Sequence, residues 1–105
     1  MRNMSVQQFS AYVIENMHRA TLANALNIAD KLDNADYYSF TDFTQSITVY
    51  VAGAEVARRI GNVKMCRIVA LIYDIMNKYN SDIKYNKRML IDNFIISLWQ
   101  IMNEV

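Results

Sequence analysis

The sequence predicts an all-α protein, a compact bundle of four to five helices formed by residues 1–105 as a single domain. Its 105 residues fit one domain and are enough to enclose a core. The chain has no proline and only two glycines, fewer turn residues than a β-sandwich or barrel needs. Its apolar residues recur at spacings of three and four over long stretches, which is the spacing of one helical face.

The first helical pattern follows Ser5, a residue type that often caps a helix N-terminus. One apolar stripe consists of Val6, Phe9, Val13, Met17 and Ala20. A second stripe, on another side of the same helical projection, consists of Leu22, Ala25, Leu26 and Ala29. Two short helices, or one long helix that meets different neighbours along its length, would both produce this rotation.

A further helix is predicted to begin at Ser39, which is followed three residues later by Asp42 in a weak form of the capping box. Its apolar face consists of Phe40, Phe43, Ile47, Val51 and Ala54. The β-branched residues within 47–51 also fit an isolated strand, but the longer spacing of three and four favours a helix. Gly61 suits the left-handed position that ends a helix.

Two apolar helices are predicted in the second half of the chain. The face of the first consists of Val63, Cys66, Val69, Tyr73 and Met76. The width of this apolar region predicts a heavily buried helix in which Cys66 is a core thiol. The last helix, from Met89 to Met102, is apolar over most of its circumference. We expect it at the centre of the bundle, although its breadth is also compatible with a homodimer.

Composition and apolar patterning indicate in which cellular compartment the protein is expected. The net charge of +1 gives no overall attraction to nucleic acid or to an anionic membrane. A single cysteine excludes a disulfide within the chain. The N-terminus lacks the apolar segment of a signal peptide, and the most apolar run is too short to span a bilayer. We therefore expect a cytoplasmic protein that does not enter membranes.

We expect no catalytic residue, metal or cofactor. His18 and Cys66 are the two strong nitrogen and sulfur ligand candidates, and they fit no metal-binding spacing. Neither glycine belongs to a phosphate-binding loop. The aspartates between Asp30 and Asp42 could supply paired carboxylates, but a polar connection offers little burial to shift their pKa values.

Basic residues concentrate between Glu55 and Arg67. The basic residues themselves are Arg58, Arg59, Lys64 and Arg67. The segment 55–61 resembles the first helix and turn of a helix-turn-helix, in which a small residue is followed four positions later by glycine. The residues after this turn are too apolar to face a DNA groove, but the four cations could contact phosphates. A small helix-turn-helix-like DNA-binding regulator is therefore the alternative function.

The stretch from Asp30 to Asp42 interrupts the helical pattern with acidic residues, turn formers and tyrosines. The predicted partner-binding residues in it are Asp33, Asp36, Tyr37, Tyr38 and Asp42. An exposed tyrosine with a charged rim is typical of an interaction hot spot, and acidic groups attract a basic surface. An ordinary loop between two helices would have a similar composition.

From these features we predict a non-enzymatic protein that binds and neutralises a partner protein, of the immunity, antitoxin or inhibitor kind. The partner is expected to present a basic surface, as a nuclease toxin does.

Overall fold

A computed structural model of the protein describes residues 5–33 (for Asp33 the backbone alone), 39–81 and 86–104. Within these ranges every regular element is an α-helix, which confirms the all-α prediction. In chain order the helices are α1 (Val6–Met17), α2 (Leu22–Asp33), α3 (Phe40–Ala52), α4 (Ala54–Ile60), α5 (Asn62–Tyr79) and α6 (Lys87–Asn103). There are thus six helices in the described part of the chain, one more than the upper end of the prediction.

The rotation of the first apolar stripe reflects two separate helices. The Ser5 hydroxyl accepts a hydrogen bond from the Gln8 backbone N–H at 3.1 Å, and the Gln8 side chain accepts one from the Ser5 N–H at 2.9 Å. This reciprocal pair confirms Ser5 as the cap of α1. Thr21 immediately precedes α2, and its hydroxyl accepts a 3.2 Å hydrogen bond from the N–H of Asn24 in the first turn of that helix.

The sixth helix arises from a break at Gly53, which the sequence pattern did not reveal. The Ser39 hydroxyl caps α3 by accepting from the Asp42 N–H at 3.1 Å, and residues 47–51 are helical, so the strand alternative is wrong. Gly53 then adopts an extended conformation between α3 and α4. Gly61 has the predicted positive φ of 93°, but its ψ of 146° is extended, and α5 begins at the next residue.

Helix α6 lies at the centre of the bundle, as predicted. It packs between α2 and α5 and also touches α1, while α3 packs against α1 and α5. Its buried residues are Leu90, Ile91, Phe94, Ile95, Leu98, Ile101 and Met102. The Phe94 ring meets the rings of Phe40 and Phe43 nearly edge-on, with centroids 5.5 and 6.4 Å away. Edge-to-face contacts of this kind are favourable beyond the area that they bury.

The buried face of α5 differs from the predicted one. Its fully or nearly buried residues are Ile68, Ile72 and Ile75, whereas Val63 and Tyr73 are 74% and 72% exposed. Cys66 is also exposed, so the prediction of a core thiol is wrong. Both sides of α5 carry apolar residues at spacings of three and four, and the local pattern therefore could not show which side faces the core.

Replacement of Phe94 by alanine should destabilise the protein strongly, because this fully buried ring joins α6 to α3. We expect the free energy of unfolding to fall by about 3–5 kcal/mol, the usual cost of removing a buried phenylalanine. Urea denaturation followed by circular dichroism measures the change. Met89→Ala, at a residue of the same helix that is 59% exposed, is the control and should change stability by less than about 0.5 kcal/mol.

Candidate functional site

Of the five residues predicted to bind a partner, the structure describes the side chain of Asp42. Asp36, Tyr37 and Tyr38 lie outside the described residues, and Asp33 is the last residue of α2, with its side chain not described. Asp42 is exposed in the first turn of α3. The predicted interruption is shorter than 30–42, because Asp30 lies within α2 and its carboxylate accepts a hydrogen bond from Arg88.

A groove of about 580 Å³ lies next to Asp42, between α1 and α3. Its lining residues are Val6, Gln7, Asp42, Gln45, Ser46, Val49 and Tyr50. Val49 is 70% exposed, so its apolar side chain forms part of the open surface of the groove. The groove therefore combines apolar surface from Val6 and Val49 with a carboxylate and amides at its rim. We call this surface the α1–α3 groove.

The arrangement of the groove follows from the two faces of α3. Phe43, Ile47 and Val51 are fully buried on the inner side of the helix. Asp42, Gln45, Ser46 and Val49 recur at the same helical spacing on the outer side, so that their side chains form one row. The Ser46 hydroxyl donates a 3.5 Å hydrogen bond to the Val6 carbonyl oxygen, which connects this row to the start of α1.

A polar cluster adjoins the groove through Tyr50, which is one of the lining residues. The Tyr50 hydroxyl donates to Glu15 Oε2 at 2.5 Å. The Arg59 guanidinium binds the same carboxylate with both terminal nitrogens, at 2.5 and 2.6 Å. Glu15, Tyr50 and Arg59 thereby join α1, α3 and α4, and the two-pronged guanidinium contact fixes the orientation of the carboxylate. We call these three residues the Glu15 cluster.

The electrostatics of the Glu15 cluster favour one protonation state. Hydrogen bonds from Arg59 and then from Tyr50 lower the pKa of Glu15 to about 2. Partial burial, together with the hydrogen bond to Glu15, raises the pKa of the Tyr50 phenol. The hydrogen bond to Glu15 likewise raises the pKa of Arg59. A carboxylate that stays ionised and a phenol that stays neutral hold the helices together and position Tyr50, and neither has the near-neutral pKa of an efficient general acid or base.

The four basic residues predicted for DNA contact fall into different environments. Arg59 binds Glu15, as described above, and Arg67 binds the carboxylate of Glu104. Lys64 donates to the Glu104 backbone carbonyl at 2.9 Å. Arg58 is exposed and has no hydrogen bond or ion pair with any described residue. Phosphate contact by all four cations would therefore compete with existing bonds at three of them.

The two candidate ligand residues are both at the surface. His18 follows α1 and its Nε2 accepts a 3.2 Å hydrogen bond from Arg19 Nε, while Cys66 is exposed on α5. Within 5–33, 39–81 and 86–104, no three histidine, cysteine, aspartate or glutamate side chains come close enough to hold a metal ion. In the same ranges, none of the helices combines the length and the apolar character needed to cross a lipid bilayer.

The chain was compared with models of protein families, with curated proteins and with solved structures, and none of these comparisons found a match.

The Glu15 cluster predicts a specific pH dependence of stability. Because folding lowers the pKa of Glu15 from 4.5 to about 2, the ionised carboxylate stabilises the folded state above pH 4.5, and this stabilisation is lost as the pH falls toward 2. The difference in free energy of unfolding between wild-type protein and Glu15→Gln should therefore be largest near neutral pH and shrink over that interval. Urea denaturation at a series of pH values measures it.

Glu55→Gln controls for the change in net charge, because it removes an exposed carboxylate of α4 outside the cluster. A difference between wild type and Glu15→Gln that is the same at pH 7 and pH 2 would contradict the ion pair.

Proposed function

We propose that this chain is a non-enzymatic protein that binds and neutralises a partner protein, of the immunity, antitoxin or inhibitor kind. The binding surface is the α1–α3 groove together with the acidic, tyrosine-bearing stretch that precedes α3, namely Asp33, Asp36, Tyr37 and Tyr38. The observation that carries the proposal is the position of Asp42, a carboxylate at the rim of a groove that also exposes Val49.

The chemistry of the groove suits a lysine or arginine side chain from the partner. Such a side chain has an apolar stem, which can cover Val49 and Val6, and a cationic end group, which can bind the Asp42 carboxylate. Gln7 and Gln45 add amide oxygens that can accept further hydrogen bonds at the rim. The phosphate-binding cleft of a nuclease is an example of a surface with several such cations. The acidic residues would attract this cleft, and once bound they would keep the nucleic acid out of it.

The Glu15 cluster supports binding by holding one wall of the groove in place. Tyr50 lines the groove and is fixed by its hydrogen bond to Glu15. A side chain that is already ordered in the free protein loses less conformational entropy when a partner binds. The groove is therefore organised for contact before the partner arrives.

The proposal predicts that Asp42→Lys weakens binding. The partner to be measured is the purified product of the gene adjacent to the one that encodes this chain, by isothermal titration calorimetry. We expect the dissociation constant to rise by about tenfold or more, since a rim carboxylate is replaced by a cation that repels the partner's cation. Co-expression of this chain with the partner gives the second readout. If the partner inhibits growth, wild type should restore growth better than Asp42→Lys.

Glu55→Lys is the matched control for this experiment. Glu55 lies in the first turn of α4, as Asp42 lies in the first turn of α3, and both side chains are exposed. The two variants have the same net charge and lose the same kind of contact with a helix N-terminus. Equal weakening by both variants would show a general charge effect and would contradict a site at the α1–α3 groove.

The same protein preparations test the DNA-binding alternative. A regulator that uses Arg58, Arg59, Lys64 and Arg67 should shift a DNA duplex in a gel at low salt and release it as salt rises. Arg58→Glu should weaken that shift without disturbing an ion pair, because Arg58 has no partner among the described residues. Absence of any shift at low salt would remove the alternative.

A further inference from the structure

The outward face of α5 carries an apolar stripe that no described residue covers. It consists of Val63, Cys66, Ala70 and Tyr73, all of them exposed, and it continues into the exposed Asn77. These residues follow one another at spacings of three, four, three and four. At 100° per residue they lie within about 80° of the helix circumference. We propose that this stripe binds the same stripe of a second copy of the chain, as an antiparallel two-fold dimer.

The spacing of the stripe specifies a helix as the opposing element. Alternating steps of three and four are the seam of a coiled coil, in which each side chain packs between side chains of the facing helix. Val69 and Met76 are half-buried along one edge of the stripe, and they extend its apolar surface. Arg67 and Asp74 lie along the other edge. A single helix laid along α5 covers this width.

The charged edge identifies a second copy as the occupant and sets its direction. Arg67 and Asp74 lie on one side of the stripe, seven residues apart, and within one copy they form exposed ion pairs with Glu104 and Lys78 that a second copy can extend. A two-fold axis near Ala70 and Tyr73, perpendicular to the helix, brings Arg67 of each copy beside Asp74 of the other. A parallel pair would instead place the charged edge with Arg67 and Asp74 against the apolar edge of the other copy, which carries Val69 and Met76. A shift by one heptad would bring the two Arg67 side chains together, which costs free energy.

The side-chain sizes complement each other in this register. Tyr73 of one copy lies opposite Ala70 of the other, and the small alanine leaves room for the ring. Cys66 of one copy lies opposite Asn77 of the other. Because the axis repeats each contact, the same surface serves both partners, as in most homodimers. The two tyrosines bury most of the area near the centre, where interface hot spots concentrate.

This interface is independent of the α1–α3 groove, since the two surfaces share no residue. It is also different from a dimer through α6, whose apolar residues are largely buried in the bundle core.

The proposal is tested first by disulfide trapping with Asn77→Cys, under mild oxidation by oxidised glutathione. In the antiparallel dimer the introduced cysteine lies opposite Cys66 of the second copy, so a covalent dimer with 66–77 links between chains should form. Within one helix these positions are about 16 Å apart, too far for a disulfide. Peptide mapping by mass spectrometry identifies the link. Cys66→Ser combined with Asn77→Cys is the control and should form no covalent dimer.

Wild-type protein should also remain uncrosslinked, because the two Cys66 residues lie far apart on opposite sides of the axis. A 66–66 link in the wild type, or a 77–77 link in the double variant, would show a parallel pair and overturn the proposal. Absence of any 66–77 link would overturn it as well.

Sedimentation equilibrium over a concentration series gives the second test without a covalent bond. The wild-type mass should rise from 12.2 kDa toward twice that value as concentration increases. Tyr73→Glu should keep the mass at that of the monomer, because it places two carboxylates at the centre of the interface. Met89→Glu adds the same charge at an exposed apolar residue of α6 and should dimerise like wild type. A wild-type monomer at every concentration, or a dimer that survives Tyr73→Glu, would contradict the interface.

Discussion

The structure depends on the contact between α6 and the connection that joins α1 to α2, which we call the α1–α2 corner. The Trp99 indole Nε1 donates to the Ala20 carbonyl oxygen at 2.8 Å, and the Asn103 side-chain amide donates to the Met17 carbonyl oxygen at 3.1 Å. Met17 is the last residue of α1, and its carbonyl oxygen also accepts from the Ala20 N–H at 3.2 Å, whereas Ala20 lies in the connection between α1 and α2. Two side chains near the end of α6 thus attach this helix to the connection between α1 and α2.

This central position of α6 decides which surfaces the other helices leave open. The core residues of α3 and α5 point toward the centre, so their opposite faces remain at the surface. On α3 the open face forms the α1–α3 groove, and the Glu15 cluster holds its Tyr50 wall against α1 and α4. On α5 the open face is the apolar stripe. Two separate open surfaces therefore result from one packing arrangement.

Features that depend on neighbouring residues were predicted from the sequence, whereas two features that depend on distant residues were missed. The caps at Ser5 and Ser39 and the helical repeat around Phe43 are local, and they were predicted correctly. The buried side of α5 was not, because Ile68 and Tyr73 both belong to apolar stripes and only the packing of α6 and α3 chooses between them. The Glu15 cluster had no sequence signal, since Glu15 and Arg59 are 44 residues apart.

The most direct test of the central position of α6 is hydrogen exchange at the indole N–H of Trp99. This residue is the one tryptophan of the chain, so its signal in a nitrogen-15 NMR spectrum is assigned without ambiguity. Because the N–H donates to Ala20, it should exchange as slowly as the backbone amides of α6 that open only when the whole protein unfolds. Exchange at the rate of a free indole, while the amide of Leu98 stays protected, would show that α6 does not hold the α1–α2 corner.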